Sequence, residues 1–404
     1  MNMNMTGNAS DISEKISYIG VDDHGIDLFE SQYAVPQGIT YNSYIIKGEK
    51  TAVVDTTDSR TGAAWLENLR LGLGDRRPDY LIIEHLEPDH SALISDFIEI
   101  YPDATLVMSA TARRMLPEFL DNMPDDDKLL VMKEGDTLDL GTVSLKFFLA
   151  PMVHWPEVMM AYCPEERTLF TADAFGTFGT SDAIEGDWAT EARRYYYNIV
   201  GKYGPQVQTL LKKLSGLDVK TICPLHGPVL KDNIAHYVSL YDTWSRYLPE
   251  TDGVFVACAS IHGNTMKAAE RIAMRLREKG IENVYVADLT RDDKSAALAL
   301  AFRYPTAVFC ASSYDAGLFT PMFSFLHALS LKGYRNRTAA IVENGSWAPS
   351  AGNVMREMLG KMKDIRILPD SLTIRGVFKK KDRDAADAFA DAVAASIKSP
   401  SKAN

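Results

Sequence analysis

Two α/β bodies in one chain are predicted: an N-terminal sandwich of two sheets with helices outside it, and a C-terminal doubly wound parallel sheet. Three observations predict this. The chain has 404 residues, which is long for a single ordinary core. Up to residue 248 strand-like runs are followed by helices and then by more strands, the pattern of an α+β sandwich. After the linker-like Leu248-Pro249-Glu250-Thr251-Asp252-Gly253 the pattern changes to regular alternation of strand and helix. The domains are therefore expected at residues 1–248 and 249–404.

The elements follow in order from the apolar pattern. Met1 to Ser13 is polar and lacks the apolar core of a signal peptide, so a frayed tail on a cytoplasmic protein is expected. Residues 40–46 and 51–55 read as two strands around the turn Lys47-Gly48-Glu49-Lys50. A helix from Gly62 to Leu71 leads to the apolar run Tyr80-Leu81-Ile82-Ile83. Strands at 105–108, 129–132 and 143–149 come next, with a helix over 112–120 between the first two. Residues 237–247 read as a helix before the linker. Beyond the linker the strands are 254–259, 284–287, 307–310 and 339–342. The helices there are 266–279, 322–331, one starting near Asn353, and 383–397.

Composition narrows the function classes. A hydrophobic content of 46% with 24% charged residues is that of a soluble globular protein. The net charge of −11 argues against a nucleic-acid surface, which needs a basic face. No apolar run approaches the ~20 residues of a membrane span. Cys163, Cys223, Cys258 and Cys310 are widely separated, with no C-x-x-C, so they read as small core residues and no rubredoxin-type or zinc-ribbon module is present.

The chemistry concentrates at strand ends. Glu84-His85-Leu86-Glu87-Pro88-Asp89-His90 directly follows the apolar run, on a loop at the carboxyl end of a buried strand, where α/β folds place sites. The spacing is H-x-E-x-D-H. In extended chain His85 and Glu87 point one way, and a turn at Pro88 re-aims Asp89 and His90, so two metal ions are the natural reading. A solvated acid-histidine loop is the plain alternative. Three later positions repeat the context: His154 in Ala150-Pro151-Met152-Val153-His154-Trp155-Pro156-Glu157, Asp173 in Thr171-Ala172-Asp173-Ala174, and His226 in Cys223-Pro224-Leu225-His226-Gly227.

This order of residues resembles the metallo-β-lactamase fold as it occurs in the flavodiiron protein family. The resemblance runs from about Ile16 to Tyr247 and includes Gly38-Ile39-Thr40-Tyr41-Asn42-Ser43-Tyr44 and Glu191-Ala192-Arg193-Arg194-Tyr195-Tyr196. It implies a metallo-β-lactamase-like αββα sandwich in which His85, Glu87 and His154 bind one iron, Asp89, His90 and His226 the other, and Asp173 bridges. It also implies a histidine from the region of His24 over the open side of the pair, with a surface turn histidine as the plain alternative; Tyr195 or Tyr196 is a candidate to support the ligands from behind. Hydrolases of this fold usually carry histidine where this chain has Glu87. A carboxylate there makes the site harder and more anionic, which favours iron over zinc.

In the second domain the first strand-to-helix turn is Ser260-Ile261-His262-Gly263-Asn264-Thr265. Hydroxyls, backbone N–H groups and a helix N-terminus converge there, as a phosphate monoester requires. The turn resembles the flavodoxin S/T-x-T-G-x-T loop, with His262 in place of a commoner hydroxyl or aromatic residue. Ser312-Ser313-Tyr314-Asp315-Ala316-Gly317 and Glu343-Asn344-Gly345-Ser346-Trp347 stand where flavodoxins hold the isoalloxazine. Trp347 can stack on the ring. The family's frequent G-S-Y-G-W is kept only at Trp347, and no G-x-G-x-x-G points to a dinucleotide.

Together the resemblances imply an FMN- and diiron-dependent oxidoreductase reducing dioxygen to water or nitric oxide to nitrous oxide. Its electrons would come from an external donor, a rubredoxin or a reduced deazaflavin. The family's FMN lies close to the partner subunit's irons, which implies a head-to-tail homodimer or a dimer of such dimers. Two other readings stay open: a zinc-dependent hydrolase fused to a flavodoxin-like module, and a redox shuttle whose lactamase-like part only supports assembly.

Overall fold

The computed structural model describes residues 5–7, 10–184 and 188–398. The chain divides into two compact units, Met1–Ser245 and Arg246–Asn404.

In the first unit two sheets face each other. The seven-stranded sheet runs Leu129–Met132, Thr105–Ser109, Tyr80–Ile82, Thr51–Val54, Tyr44–Lys47, Ile16–Tyr18, Ser10–Asp11. The five-stranded sheet runs Thr137–Asp139, Ser144–Leu149, Met159–Cys163, Thr168–Phe170, Thr221–Cys223. Successive strand side chains alternate between faces, and the sequence uses both. Tyr44, Ile46, Val54, Ile82 and Val107 meet Leu145, Phe147, Met159, Ala161 and Phe170 of the opposite sheet. Ile45, Val53, Leu81, Leu106 and Met108 face outward onto Trp65, Leu69, Phe97 and Leu116 of the covering helices. A one-residue slip would exchange the two sets, each large side chain being worth ~1.5–3 kcal/mol when buried. The result is the expected αββα sandwich.

The topology gathers loops at one end. Thr51–Val54, Tyr80–Ile82 and Thr105–Ser109 are parallel, so the loops after Val54 and Ile82 leave from the same edge. Thr168–Phe170 and Thr221–Cys223 are parallel as well, which sends the loops carrying Asp173 and His226 out together.

The expected frayed tail needs correction. Met5–Gly7 pairs with Val21–Asp23, which pairs in turn with Ile39–Tyr41, and Ser10–Asp11 pairs with Ile16–Tyr18. An edge strand gains ladder hydrogen bonds without needing apolar side chains, so a polar segment can still be a strand. The helix expected over 112–120 begins at Ala110, capped by the Ser109 hydroxyl, and tightens to a 3₁₀ turn at Leu116–Glu118 around Pro117.

The second unit has five parallel strands: β1 (Val254–Ala259), β2 (Val284–Asp288), β3 (Thr306–Tyr314), β4 (Arg337–Asn344) and β5 (Ile365–Ile374). They lie in the order β2-β1-β3-β4-β5, the flavodoxin-like order, whose direction reverses between β1 and β3. The strand β5 and the helix Lys294–Arg303 go beyond the sequence reading. All four cysteines are buried with free thiols. Among the described residues no helix is long and apolar enough to cross a membrane.

Candidate dinuclear metal centre and flavin loops

The loop after Tyr80–Ile82 is fixed from below before it presents any ligand. The Asp55 carboxylate accepts the Glu84 N–H at 3.0 Å and the His85 N–H at 3.4 Å. Glu84 in turn accepts the Ala161 and Ala172 N–H groups, each at 2.9 Å, tying the loop to the strand end that carries Asp173. Burial pushes both carboxyls well above their ordinary range, and at Glu84 the charge of Asp55 adds to it. Backbone strain collects at the same strand ends: Asp55, Met152, Ala172 and Phe175 all have positive φ, a pattern that marks functional positions.

Glu87 is the N-cap of a one-turn helix, Pro88–Ser91. Pro is favoured in the first helical turn, so the chain rotates there and sends Asp89 and His90 away from His85 and Glu87. Two clusters result. The ligand-type atoms of His85, Glu87, His154 and Asp173 lie within 4.8 Å of one another, as do those of Asp89, His90 and His226. Asp173 spans them. Its Oδ2 is 3.0 Å from His154 Nε2 and its Oδ1 is 3.3 Å from His90 Nε2.

Two of the imidazoles are held from behind. His85 Nδ1 meets Glu157 Oε1 at 2.8 Å, and His226 Nδ1 donates to the Thr40 carbonyl at 2.7 Å. Such partners leave each neutral ring with its Nε2 lone pair aimed inward. Inside, acceptor therefore faces acceptor where His85 Nε2 and Glu87 Oε2 lie 3.2 Å apart, and the His226 Nε2 lone pair meets His90 Nε2 at 3.0 Å. Both Asp89 oxygens, Asp173 Oδ1 and His90 Nδ1 are buried without a hydrogen-bond partner among the described residues. Lone pairs packed this closely repel unless protons or cations lie between them. Without metal, protons take that place. Burial pushes His154 down, but the Asp173 and Glu87 carboxylates outweigh it and set its pKa at about 9. Burial likewise opposes the ionised Glu87, yet His154 and His85 hold it at about 2. Four nitrogens and three carboxylates around two centres suit divalent transition metals.

The remaining site expectations separate. Tyr195, not Tyr196, reaches the centre: its hydroxyl donates to Asp173 Oδ2 at 2.8 Å. Consecutive helical residues point about 100° apart, so Tyr196 turns instead toward Tyr241 and Trp244. His24 is exposed, and its ligand-type neighbours are Asp22 and Asp182. The Asp23 carboxylate accepts the Gly25 N–H, so the chain turns directly after this strand. The residues of this segment nearest the centre lie further on. Phe29 packs edge-on against His226 at 5.3 Å. A recess of about 240 Å³ opens onto Glu87 and Asp89, walled by Phe29, Glu30, Asp58 and Arg60. Nothing in the sequence marked Phe29 or Glu30, whereas Glu157 lay within the quoted H-W-P-E.

In the second unit the loops after β1, β3 and β4 share the carboxyl end of the sheet. Gly263 has φ 77° and open space where a Cβ would stand. The helix Asn264–Glu278 begins there with no side chain capping its first turn, leaving N–H groups for an anion. Ser260 Oγ is buried without a partner among the described residues, and Thr265 Oγ1 meets Ser312 Oγ at 3.0 Å. This cradle fits a phosphate monoester. His262 is exposed, while Tyr314 is 50% exposed and Trp347 91%, so two aromatic side chains stand largely uncovered at the same end of the sheet. Other expected contacts are engaged within the fold. Ser313 Oγ accepts the Ser350 and Ala351 N–H groups, and the Asn344 amide pairs with both backbone groups of Gly376. Asp315 has φ 47° in the turn before Gly317, and Gly345 and Ser346 follow β4.

Residues 39–227 match the model of the ODP family beta lactamase. The chain is 32% identical over 290 residues to diflavin flavoprotein A 1 of Synechocystis, covering 70% of this chain and 50% of that one. It is 28% identical over 357 residues to the anaerobic nitric oxide reductase flavorubredoxin of Citrobacter koseri, covering 84% and 72%. The structure superposes on rubredoxin oxygen:oxidoreductase of Desulfovibrio gigas with a TM-score of 0.87 at 23% identity, covering 97% of this chain and 99% of that one. The chain belongs to the flavodiiron protein family. Flavodiiron proteins carry a flavin and a non-haem iron pair, and the two loop systems fit those groups. The chain spans about half the length of the diflavin flavoproteins it matches.

Proposed function

We propose that this flavodiiron chain is an oxidoreductase that reduces a diatomic, dioxygen to water or nitric oxide to nitrous oxide, with electrons from an external donor. The observation that carries the reading is Asp173, whose two oxygens face different clusters. His85, Glu87 and His154 would hold one iron, Asp89, His90 and His226 the other, and Asp173 would lie between. Glu87 favours iron over zinc, since it supplies an oxygen donor where a hydrolase of this fold uses an imidazole. The Gly263 turn and the first turn of its helix would hold the FMN phosphate, with Trp347 and Tyr314 offering ring faces to the isoalloxazine. When bound, the irons and the flavin supply the electron storage that reduction of a diatomic needs.

The chain's own residues do the rest. Glu157 and the Thr40 carbonyl fix two imidazole tautomers, so the ligand lone pairs are set before any ion arrives. Tyr195 holds Asp173 by a hydroxyl hydrogen bond and keeps its carboxylate between the clusters. Phe29 and the hairpin around it cover His226 and leave the recess over Glu87 and Asp89 as the approach for a small molecule. By the family resemblance the donor would be a rubredoxin or a reduced deazaflavin, and the assembly a head-to-tail homodimer. The test is to reduce anaerobic protein chemically and mix it with dioxygen or with nitric oxide. Loss of dioxygen without peroxide, or formation of nitrous oxide, supports the reading. Inertness toward both gases by protein with a full iron complement would reject it.

A further inference from the structure

The hairpin over the recess carries an assignment that rests on the proposed reduction of a diatomic. Leu28–Phe29 and Tyr33–Ala34 pair antiparallel, and the tip residues Glu30 and Ser31 both have positive φ, 47° and 57°. Turns of this kind normally use Asn-Gly or Asp-Gly, because side-chain-bearing residues are strained there. Such strain persists only where the surroundings impose it, and it gathers at functional positions. Here Phe29 anchors the tip, its ring lying 5.3 Å from His226 and 5.8 Å from Phe178. Gln32 Nε2 donates to Glu30 Oε2 at 2.9 Å, which orients the carboxyl. Glu30 thus lines the same recess as Glu87 and Asp89 while remaining exposed at its rim.

We propose that Glu30 is the proton-delivering residue at the mouth of the metal centre. Reduction of dioxygen to two waters consumes four electrons and four protons, and reduction of two nitric oxides to nitrous oxide and water consumes two of each. The electrons come from the external donor. Each proton passes from the Glu30 carboxyl O–H to an oxygen leaving as water, and the carboxylate takes its next proton from solvent at the rim. The other groups along the recess are less suited. Arg60 is ion-paired with the buried Asp23 and stays charged. The Asp58 carboxylate accepts the Arg60 N–H. The Tyr41 hydroxyl also lines the recess, but burial, with the Asp58 carboxylate adding to it, pushes it far above the ordinary phenol range, and the Tyr195 hydroxyl at the metal centre is committed to Asp173. Partial desolvation, then the negative charge of Glu87, raises the Glu30 pKa, with Asp89 adding to the rise and the Gln32 hydrogen bond and His154 opposing it. That direction retains a proton closer to neutral pH, where a general acid works best.

The test compares wild type with Glu30→Gln and Glu30→Asp, each loaded with iron and FMN. Glu30→Gln should keep its metal and flavin content and lose about 10²-fold in turnover, the low end of general-acid contributions. It should also lose the alkaline fall expected of wild type as Glu30 deprotonates, while Glu30→Asp recovers part of the rate. A second readout needs no turnover: carboxyl-labelled glutamate NMR on the metal-free protein, where Glu87 and Asp89 carry their own charge, wild type minus Glu30→Gln. Glu30 should titrate above an ordinary glutamate. Wild-type turnover and pH profile in Glu30→Gln, or an ordinary Glu30 titration, overturns the assignment and leaves the proposed function standing. A wild type that reduces neither gas removes the function itself, and this assignment with it.

Discussion

Glu157 offers the sharpest perturbation of the metal centre, because it touches one cluster only and from outside. Its Oε1 accepts from His85 Nδ1 at 2.8 Å and from the Leu86 N–H at 3.0 Å, and both Glu157 and His85 are buried. Glu157→Ala leaves the imidazole N–H without an acceptor where water does not reach, a loss of ~1–3 kcal/mol. Partners of this kind change metal affinity by ~10–100-fold, which is ~1.4–2.8 kcal/mol, so the two routes agree. Glu157→Gln keeps a carbonyl acceptor but not the charge, and should lose roughly tenfold or less. The assay is anaerobic chelator competition for the bound ions. The expected result is that one ion is released ~10–100-fold more readily while the other holds, since His90 and His226 do not touch Glu157. Equal loosening of both ions, or of neither, would refute the separation into two clusters joined by Asp173.

Two further outcomes follow from the same geometry. Trp347 stands 91% exposed at the same end of the sheet as the phosphate cradle, so Trp347→Ala should loosen FMN by up to roughly tenfold, the upper end of an aromatic stacking contribution; fluorescence titration of FMN into the apoprotein checks it, and unchanged affinity would take Trp347 out of the site. Metal-free protein should lose thermal stability as pH rises: His154 stands at about 9 against an ordinary 6.5, so its contribution is complete below the unfolded value and lost as pH climbs through about 9. At the acid end the contribution of Glu87 is present above its ordinary 4.5 and lost as pH falls toward about 2. Loading with metal should flatten the alkaline fall, because cations replace the protons. Melting curves of both forms decide the matter, and identical pH profiles would contradict it.

Much of this was legible in the chain. Ligand-type residues stood directly after apolar runs, and parallel strands bring such positions to one edge, so His85, His154, Asp173 and His226 could be grouped before any coordinates. The turn at Pro88 was legible from its proline, whereas the helical turn Pro88–Ser91 that it opens was not. Other features were not legible, for identifiable reasons. The strand β5 contains Pro369, Asp370, Ser371 and Thr373 and sits at the sheet edge, so it shows no continuous apolar run. The helix Lys294–Arg303 is short and alanine-rich, with too few large residues to draw a stripe. Choosing Tyr195 over Tyr196 required the phase of the helix, which adjacent tyrosines conceal. The hairpin carrying Phe29 and Glu30 is made of two-residue strands, and its tip lacks the glycine that normally announces such a turn.

The central claim is that this chain holds an iron pair and an FMN. Elemental analysis with a visible spectrum, on protein purified without oxygen from iron-replete cells, tests it most directly. The account predicts about two irons and about one FMN per chain, in keeping with a mixed imidazole and carboxylate donor set and a phosphate cradle. Two zinc ions with no flavin would contradict it.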